Sequence, residues 1–173
     1  LALHQLGARH FAVTVPTPPL TVAVPVRSTG ASAVLNGQSS LLQALARCAL
    51  VVDCTVEGLQ HAAELPQILA GGARVLVISN EHPEILERCL PRAEDEAEVR
   101  DAMRRLRSAR RMQVSSAAGT DLSIELDGAR IGGVWGFTTK PGTLTHWPGG
   151  LVLAFPAAGR VKGSLVLDRG DVN

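Results

Sequence analysis

The feature of the sequence that most constrains the fold is a change of pattern at Arg111. Before Arg111, short apolar segments such as Leu50–Asp53 alternate with segments of helical periodicity. After Arg111, strand-like segments are joined by glycine-rich turns and helical periodicity is absent. We therefore predict an α/β fold in which a Rossmann-like parallel α/β domain over residues 1–111 is followed by the opening strands of a β-rich domain over residues 112–173.

The predicted elements follow from apolar periodicity and from the positions of glycine and proline. A helix over residues 93–111 begins with acidic and ends with basic side chains, with Glu96–Arg100 and Asp101–Arg105 as favourable pairs. Its basic end is interpreted as a solvated face. Further helices are predicted over residues 1–6, 38–48, 59–70 and 82–90. Strands are predicted over residues 10–15, 21–26, 50–53, 74–79, 112–116, 121–126, 151–155 and 163–167.

Composition excludes several classes of function. The 173 residues carry 17 basic and 16 acidic side chains, a net charge of +1, so we expect no nucleic-acid partner. The apolar runs are too short to span a membrane, and no signal-peptide pattern opens the chain. Three cysteines without CxxC spacing predict neither a disulfide framework nor a zinc site, which favours a cytoplasmic location. Both ends lack the expected start or cap, so we expect a piece of a longer protein.

The run over residues 135–150 predicts a loop that shapes a pocket. It contains both tryptophans, Trp135 and Trp147, together with His146 and several glycines and prolines. Glycine permits unusual backbone angles and proline fixes φ, so together they impose an irregular path. In such a loop His146 can hydrogen-bond a substrate hydroxyl or transfer a proton near neutral pH. The alternative is a structural histidine bonded to a backbone carbonyl.

Other polar residues each admit more than one interpretation. His61 and Glu64 are three residues apart on a predicted helix, a spacing used by metal ligands and also by ordinary surface pairs. Asp53 ends a buried strand, where α/β sheets bind ligands, or it caps the turn that follows. His82 is interpreted as a helix-start residue. The sequence contains neither GxGxxG nor GxSxG, and no spacing supports a catalytic serine.

These residues resemble the 2,5-dihydroxypyridine 5,6-dioxygenase family, which belongs to a superfamily with the aminopeptidase T-type metallopeptidases. The specific part of the resemblance is the run over residues 135–150 and a second run over residues 155–171. Weaker matches precede them in the right order, so the resemblance spans essentially the whole chain; these matches are residues 49–55, 59–64, 72–76 and 115–122.

The resemblance implies the N-terminal portion of a non-haem iron(II) dioxygenase that cleaves the ring of a hydroxylated pyridine or a similar small aromatic substrate. It implies that His61 and His146 are catalytic residues at the substrate site. Trp135 and Trp147 are expected to line that site. The acidic pocket residue of the family falls at Val134 here, which puts the handling of the substrate in question.

Two departures from the family pattern limit these expectations. The peptidase branch carries a metal-binding glutamate where this chain has Leu151, which cannot ligate a metal. In both branches a His-x-Asp ligand pair lies further along the chain, and none occurs in these 173 residues, so we expect Fe(II) in the full-length parent and no metal on this chain alone. The alternatives are an aminopeptidase T-like relative or a non-catalytic binding or assembly domain. Uncovered apolar sheet edges predict self-association as a homodimer.

Overall fold

The structure is a computed structural model that describes residues 2–15, 33–55, 58–78 and 82–167. In chain order its helices are α1 (Ala2–Gln5), α2 (Ser39–Ala46), α3 (Leu65–Ala70), α4 (Pro83–Arg88) and α5 (Ala93–Ser108), with a 3₁₀ helix at Leu59–His61. Its strands are β1 (Leu50–Asp53), β2 (Arg74–Val77), β3 (Arg111–Ser115), β4 (Asp121–Glu125), β5 (Arg130–Val134), β6 (Leu144–His146), β7 (Leu151–Phe155) and β8 (Val161–Ser164).

Three strands form a parallel sheet in the order β1-β2-β6. The central strand β2 is rich in valine, whose branched side chain packs well on a pleated surface, and Val75 is completely buried. The helices α2 and α3 and the 3₁₀ helix cover one face of this sheet. Their apolar residues join those of the strands in a single core, which consists of Leu35, Leu42, Val51, Leu59, Ala62, Ile68, Ala73, Val75 and Val77.

The remaining strands pair in an antiparallel manner. One sheet has the order β3-β4-β8, and β5 pairs with β7. The helix α5 packs across β5 and β7, with Val99 and Met103 facing Gly133. A Cβ added at Gly133 would lie 2.6 Å from Val99 Cγ1, so the absence of a side chain there permits the close approach of the helix.

The two ion pairs predicted along α5 are confirmed. The nitrogen–oxygen distance is 2.6 Å both for Arg100–Glu96 and for Arg105–Asp101. The first turn of the helix is acidic and its last turn basic, as the predicted charge gradient requires. Since the arginines are exposed, each pair contributes little to the free energy of unfolding.

The mixed α/β class predicted from the sequence is confirmed by the parallel sheet and the several antiparallel strands. The Rossmann-like arrangement stays a prediction, and so does the division of the chain at residue 111. Notably, β6 comes from the second predicted domain and yet pairs with β2 of the first, with Val77 opposite His146. In the part of the chain that the structure describes, no helix is long and apolar enough to cross a membrane.

The strand predicted over residues 10–15 was wrong. The described chain has no regular secondary structure there, and Phe11 and Val13 are 60% and 48% exposed. A strand requires a neighbouring strand for its hydrogen bonds, and an alternating pattern cannot supply one. The strand predicted over residues 21–26 lies outside the described residues.

Other predicted elements have different bounds; the helix predicted over residues 93–111 ends at Ser108, and Arg111 begins β3. The helix predicted over residues 59–70 is interrupted because Ala62 is extended, with ψ of 137°, so the 3₁₀ helix ends before α3 begins. The strand predicted over residues 163–167 instead spans Val161–Ser164. The sequence patterns gave no signal for β5 or β6.

Candidate substrate-binding site at the carboxyl edge of the parallel sheet

The carboxyl ends of the three parallel strands bring Asp53 and His146 into one row. In the strand register, Asp53 is opposite Val77 and Val77 is opposite His146. Neighbouring strands are about 4.8 Å apart, so the Asp53 and His146 Cα atoms are separated by roughly 10 Å. Residues in one row of a parallel sheet lie on the same face, which here is the face of the apolar core. Open α/β sheets bind their ligands outside this edge.

Asp53 caps the turn after β1, which decides between its two predicted roles. Its side chain is buried, with the residue 3% exposed. One carboxylate oxygen accepts hydrogen bonds from the backbone N–H of Thr55 at 3.0 Å and from the Thr55 hydroxyl at 2.7 Å. The other accepts the backbone N–H of Leu59 at 2.5 Å. The carboxylate therefore joins the end of β1 to the start of the 3₁₀ helix.

His61 ends this 3₁₀ helix, and its side chain is exposed. Glu64 follows it, and one carboxylate oxygen of Glu64 is buried without a hydrogen-bond partner among the described residues. The prediction that His61 and Glu64 share one helix face was wrong, because the chain is extended at Ala62 between them, and the structure describes no hydrogen bond or ion pair that joins them. Their spacing alone therefore does not make a metal site.

His146 is half-buried at the end of β6. Its ring has no hydrogen bond to any other residue that the structure describes, so the carbonyl partner required by a purely structural role is not found there. Trp147 follows it, donates its backbone N–H to the carbonyl of Val77 at 2.9 Å and is 6% exposed. The backbone of β6 is thus fixed to β2 on both sides of the histidine.

The two ends of the run over residues 135–150 lie side by side, in continuation of the β5–β7 pair, where Gly136 meets Gly149. A Cβ added at Gly149 would lie 2.7 Å from Gly136 Cα and closer still to the Gly136 nitrogen. A Cβ added at Gly136 would lie 3.3 Å from Trp147 Cδ1. This close approach places the segment of Trp135 directly against the segment of Trp147. The predicted pocket loop is therefore closed at its base by the Gly136–Gly149 contact, and β6 lies within it.

Trp135 is half-buried, and part of its ring is already covered. The Arg100 guanidinium of α5 lies 4.8 Å from the ring centroid, and Phe137 meets the ring edge-on at 6.5 Å between centroids. Such contacts are favourable because the ring face attracts a cation and its edge attracts another ring face. Sequence reasoning missed Arg100, since its spacing on α5 indicated only a solvated ion pair with Glu96.

Two neighbouring groups have roles that are not catalytic. Partial burial, and then the negative charge of Asp53, raise the pKa of the Cys54 thiol, so it stays protonated at neutral pH and is a poor nucleophile. His82 is a helix-start residue as predicted, because its Nδ1 accepts the backbone N–H of Glu84 at 3.3 Å.

A mixed α/β fold with a histidine and a buried aspartate at the carboxyl edge of a parallel sheet is typical of proteins that act on small molecules. The family model for NicX, 2,5-dihydroxypyridine 5,6-dioxygenase, matches residues 1–173. The chain therefore belongs to the 2,5-dihydroxypyridine 5,6-dioxygenase family, as its sequence predicted.

A curated relative and a solved structure agree with this assignment. The chain is 34% identical over 173 residues to the 2,5-dihydroxypyridine 5,6-dioxygenase of Pseudomonas putida, and the match covers 99% of this chain and 49% of the relative. The solved structure of the 2,5-dihydroxypyridine dioxygenase from Pseudomonas putida is similar with a TM-score of 0.80 at 34% identity, over 96% of this chain and 48% of that one. The chain spans about half the length of both.

Proposed function

We propose that the chain takes part in the oxidative cleavage of a hydroxylated pyridine ring, with 2,5-dihydroxypyridine as its substrate. The observation that carries the proposal is the match of the family model to all of residues 1–173. The position of His146 at the carboxyl edge of the parallel sheet supports it, because that edge is where α/β proteins bind small ligands. The chain is proposed to supply the side chains that bind the ring.

His146 is proposed as the residue that handles a ring hydroxyl. One ring nitrogen of a neutral imidazole can accept the hydroxyl proton. His61 ends the 3₁₀ helix and is exposed, and it is proposed as the second histidine at the site. Trp135 and Trp147 are proposed as apolar walls that pack against the ring and exclude water.

The family resemblance implies Fe(II) as the cofactor, and the described residues do not fit an iron centre by themselves. Across residues 2–15, 33–55, 58–78 and 82–167, no three His, Cys, Asp or Glu side chains come together as a metal site. Val134, at the position of the family's acidic pocket residue, offers no donor atom. The roles that we assign to this chain are therefore binding, orientation and proton transfer.

A second candidate is binding of a small aromatic molecule without cleavage. The described donor set supports it, because a histidine and two tryptophans can bind a ring while lacking the ligands for a metal. The aminopeptidase T-like alternative has less support, since it requires a metal ligand where β7 begins with Leu151.

The first experiment measures binding of the substrate and then its turnover. Anaerobic titration of the protein with 2,5-dihydroxypyridine is expected to show saturable binding, and 2-hydroxypyridine, which lacks the second hydroxyl, is expected to bind more weakly. Turnover is then tested under air with added Fe(II), in a protein that also carries the His-x-Asp pair that these 173 residues lack, and cleavage requires uptake of one O₂ per ring lost. Binding with turnover supports the dioxygenase, binding without turnover supports the second candidate, and no binding contradicts both.

We further propose a cytoplasmic homodimer. The three cysteines Cys48, Cys54 and Cys89 are unpaired, as expected in a reducing compartment. Exposed apolar side chains on β7 and after β8, including Phe155 at 51% and Leu165 at 64%, are the kind of surface that self-association buries. Light scattering at high protein concentration is expected to give twice the 18.2 kDa mass of the chain, and a mass of one chain would contradict dimerisation.

A further inference from the structure

We infer that Asp53 is a positioning residue whose buried carboxylate fixes the 3₁₀ helix and thereby the place of His61 at the carboxyl edge of the sheet. The inference rests on the proposed function only where it assigns His61 to the substrate. The hydrogen bonds that carry it are independent of that assignment.

Both oxygens of the Asp53 carboxylate accept hydrogen bonds, and they bind different parts of the chain. The oxygen that binds Thr55 closes the tight turn directly after β1, with bonds of 3.0 and 2.7 Å. The other oxygen reaches six residues along the chain to the N–H of Leu59 at 2.5 Å. Among the described residues no basic side chain forms an ion pair with Asp53. Its buried charge is thus stabilised by N–H and O–H donors, which form strong bonds to a carboxylate.

The 3₁₀ helix has little stability of its own. It consists of three residues, and the N–H of Ala62 donates to the carbonyl of Leu59 at 3.0 Å to close it. A helix of one turn is not stable in isolation, because its nucleation costs more than one hydrogen bond returns. Leu59 and Ala62 are buried, at 4% and 5% exposed, and therefore fix the helix to the core at both ends. His61 lies between these two anchors.

The chain changes direction where it enters the 3₁₀ helix. Gly58 has φ of 68°, a left-handed conformation that redirects the backbone immediately before Leu59. The bond from Leu59 to Asp53 is made directly after this change of direction. Because the bond connects the helix to the end of β1, it sets where His61 lies relative to the row that contains His146.

The alternative is that Asp53 only stabilises the end of β1. The two roles predict different effects of an Asp53 substitution on His61 and His146. A positioning role predicts that the effect of Asp53 passes through His61 and leaves His146 unaffected, since His146 is placed by the pairing of β6 with β2 and by the Trp147–Val77 bond. A purely structural role predicts the same effect on both histidines.

The test variant is Asp53→Asn, which keeps the shape of the side chain. Whichever way the new amide is turned, its NH₂ group faces a backbone N–H, either that of Leu59 or that of Thr55. The matched control is Thr55→Val, which removes one hydroxyl donor and leaves both backbone bonds possible. If Asp53→Asn does not fold, Asp53→Ser replaces it, because the serine hydroxyl can still accept from Thr55 but is too short to reach Leu59.

The first readout is the NMR signals of the histidine rings in the 173-residue chain. Asp53→Asn is expected to shift or broaden the His61 signals and to leave those of His146 unchanged. Thr55→Val is expected to leave both unchanged. Unchanged His61 signals in a folded Asp53→Asn protein, or equal changes in both histidines, would overturn the inference.

The second readout is the dissociation constant for 2,5-dihydroxypyridine. Loss of one bond to a charged group predicts weakening of about tenfold on Asp53→Asn. His61→Ala is expected to weaken binding similarly, and the Asp53→Asn/His61→Ala double variant no further. In a protein that already carries His146→Ala, Asp53→Asn is expected to weaken binding by the same factor as in the wild type. Additive effects with His61→Ala would overturn the inference. If the wild-type protein does not bind the ligand, the proposed function fails, and the NMR comparison still decides the role of Asp53.

Discussion

Replacement of Gly149 by alanine is expected to destabilise the protein by about 3 kcal/mol, at the upper end of the usual cost of overpacking. The new Cβ would lie 2.7 Å from Gly136 Cα and closer to the Gly136 nitrogen and the Trp135 carbonyl carbon. These neighbours are backbone atoms, which cannot rotate away as a side chain can. The two segments must therefore move apart. For a chain of this length the midpoint of thermal unfolding is expected to fall by about 6–12 °C.

Gly132→Ala is the matched control for this prediction. Gly132 lies in β5, and a Cβ there would have its nearest contact at 3.9 Å, to Phe155 Cε2. Its backbone does not require glycine, so the substitution is expected to be neutral or slightly stabilising. Unfolding can be followed by tryptophan fluorescence, because both tryptophans lie next to the Gly136–Gly149 contact. Equal unfolding midpoints for the two variants would show that the two segments do not approach each other this closely.

The elements that the sequence predicted best are those determined by local pattern. The run Leu50–Asp53 was predicted with its observed bounds because a continuous apolar segment that ends in an acid needs no distant information. β6 was missed for the opposite reason. It has only three residues in a stretch rich in glycine and proline, and it is a strand because β2, almost seventy residues earlier, lies beside it.

In the candidate site too, the sequence predicted individual residues but not their arrangement in space. Asp53 and His146 were both singled out from the sequence, yet their common row depends on strand register, which is a property of the assembled sheet. A local signal did exist for the capping role of Asp53, since an aspartate two residues before Thr55 is typical of a turn closed by the side chain. The longer bond to Leu59 had no such signal.

The Gly136–Gly149 contact and the row of residues at the sheet edge act together in placing the proposed site. The Gly136–Gly149 contact fixes the segments on either side of β6, and the pairing of β6 with β2 then sets the height of His146 at the edge. The Asp53 carboxylate fixes the 3₁₀ helix at the same edge. Each half of the proposed site is therefore placed by a contact with the backbone, of Gly149 with Gly136 and of the Asp53 carboxylate with Leu59, and not by the exposed loops themselves, as preorganised binding requires.

Under the proposed function, His146→Ala is expected to cause a large loss of turnover of 2,5-dihydroxypyridine. Removal of a residue that transfers a proton in the reaction lowers kcat by about 10²–10⁴, while KM changes little if the aromatic walls carry most of the binding. His146 is half-buried and has no hydrogen bond to another described residue, so the variant is expected to keep the unfolding temperature of the wild type. That combination separates a catalytic loss from a folding loss.

Two further variants identify what His146 contributes. His146→Gln can still form a hydrogen bond to a ring hydroxyl but cannot transfer a proton, so a kcat as low as that of His146→Ala indicates acid–base chemistry. Recovery in His146→Gln indicates orientation of the hydroxyl alone. His10→Ala is the control, because His10 is exposed and lies outside the described strands and helices. If His146→Ala retains kcat within about twofold of the His10→Ala control, His146 has no part in the chemical step, because even the weakest acid–base contribution is far larger.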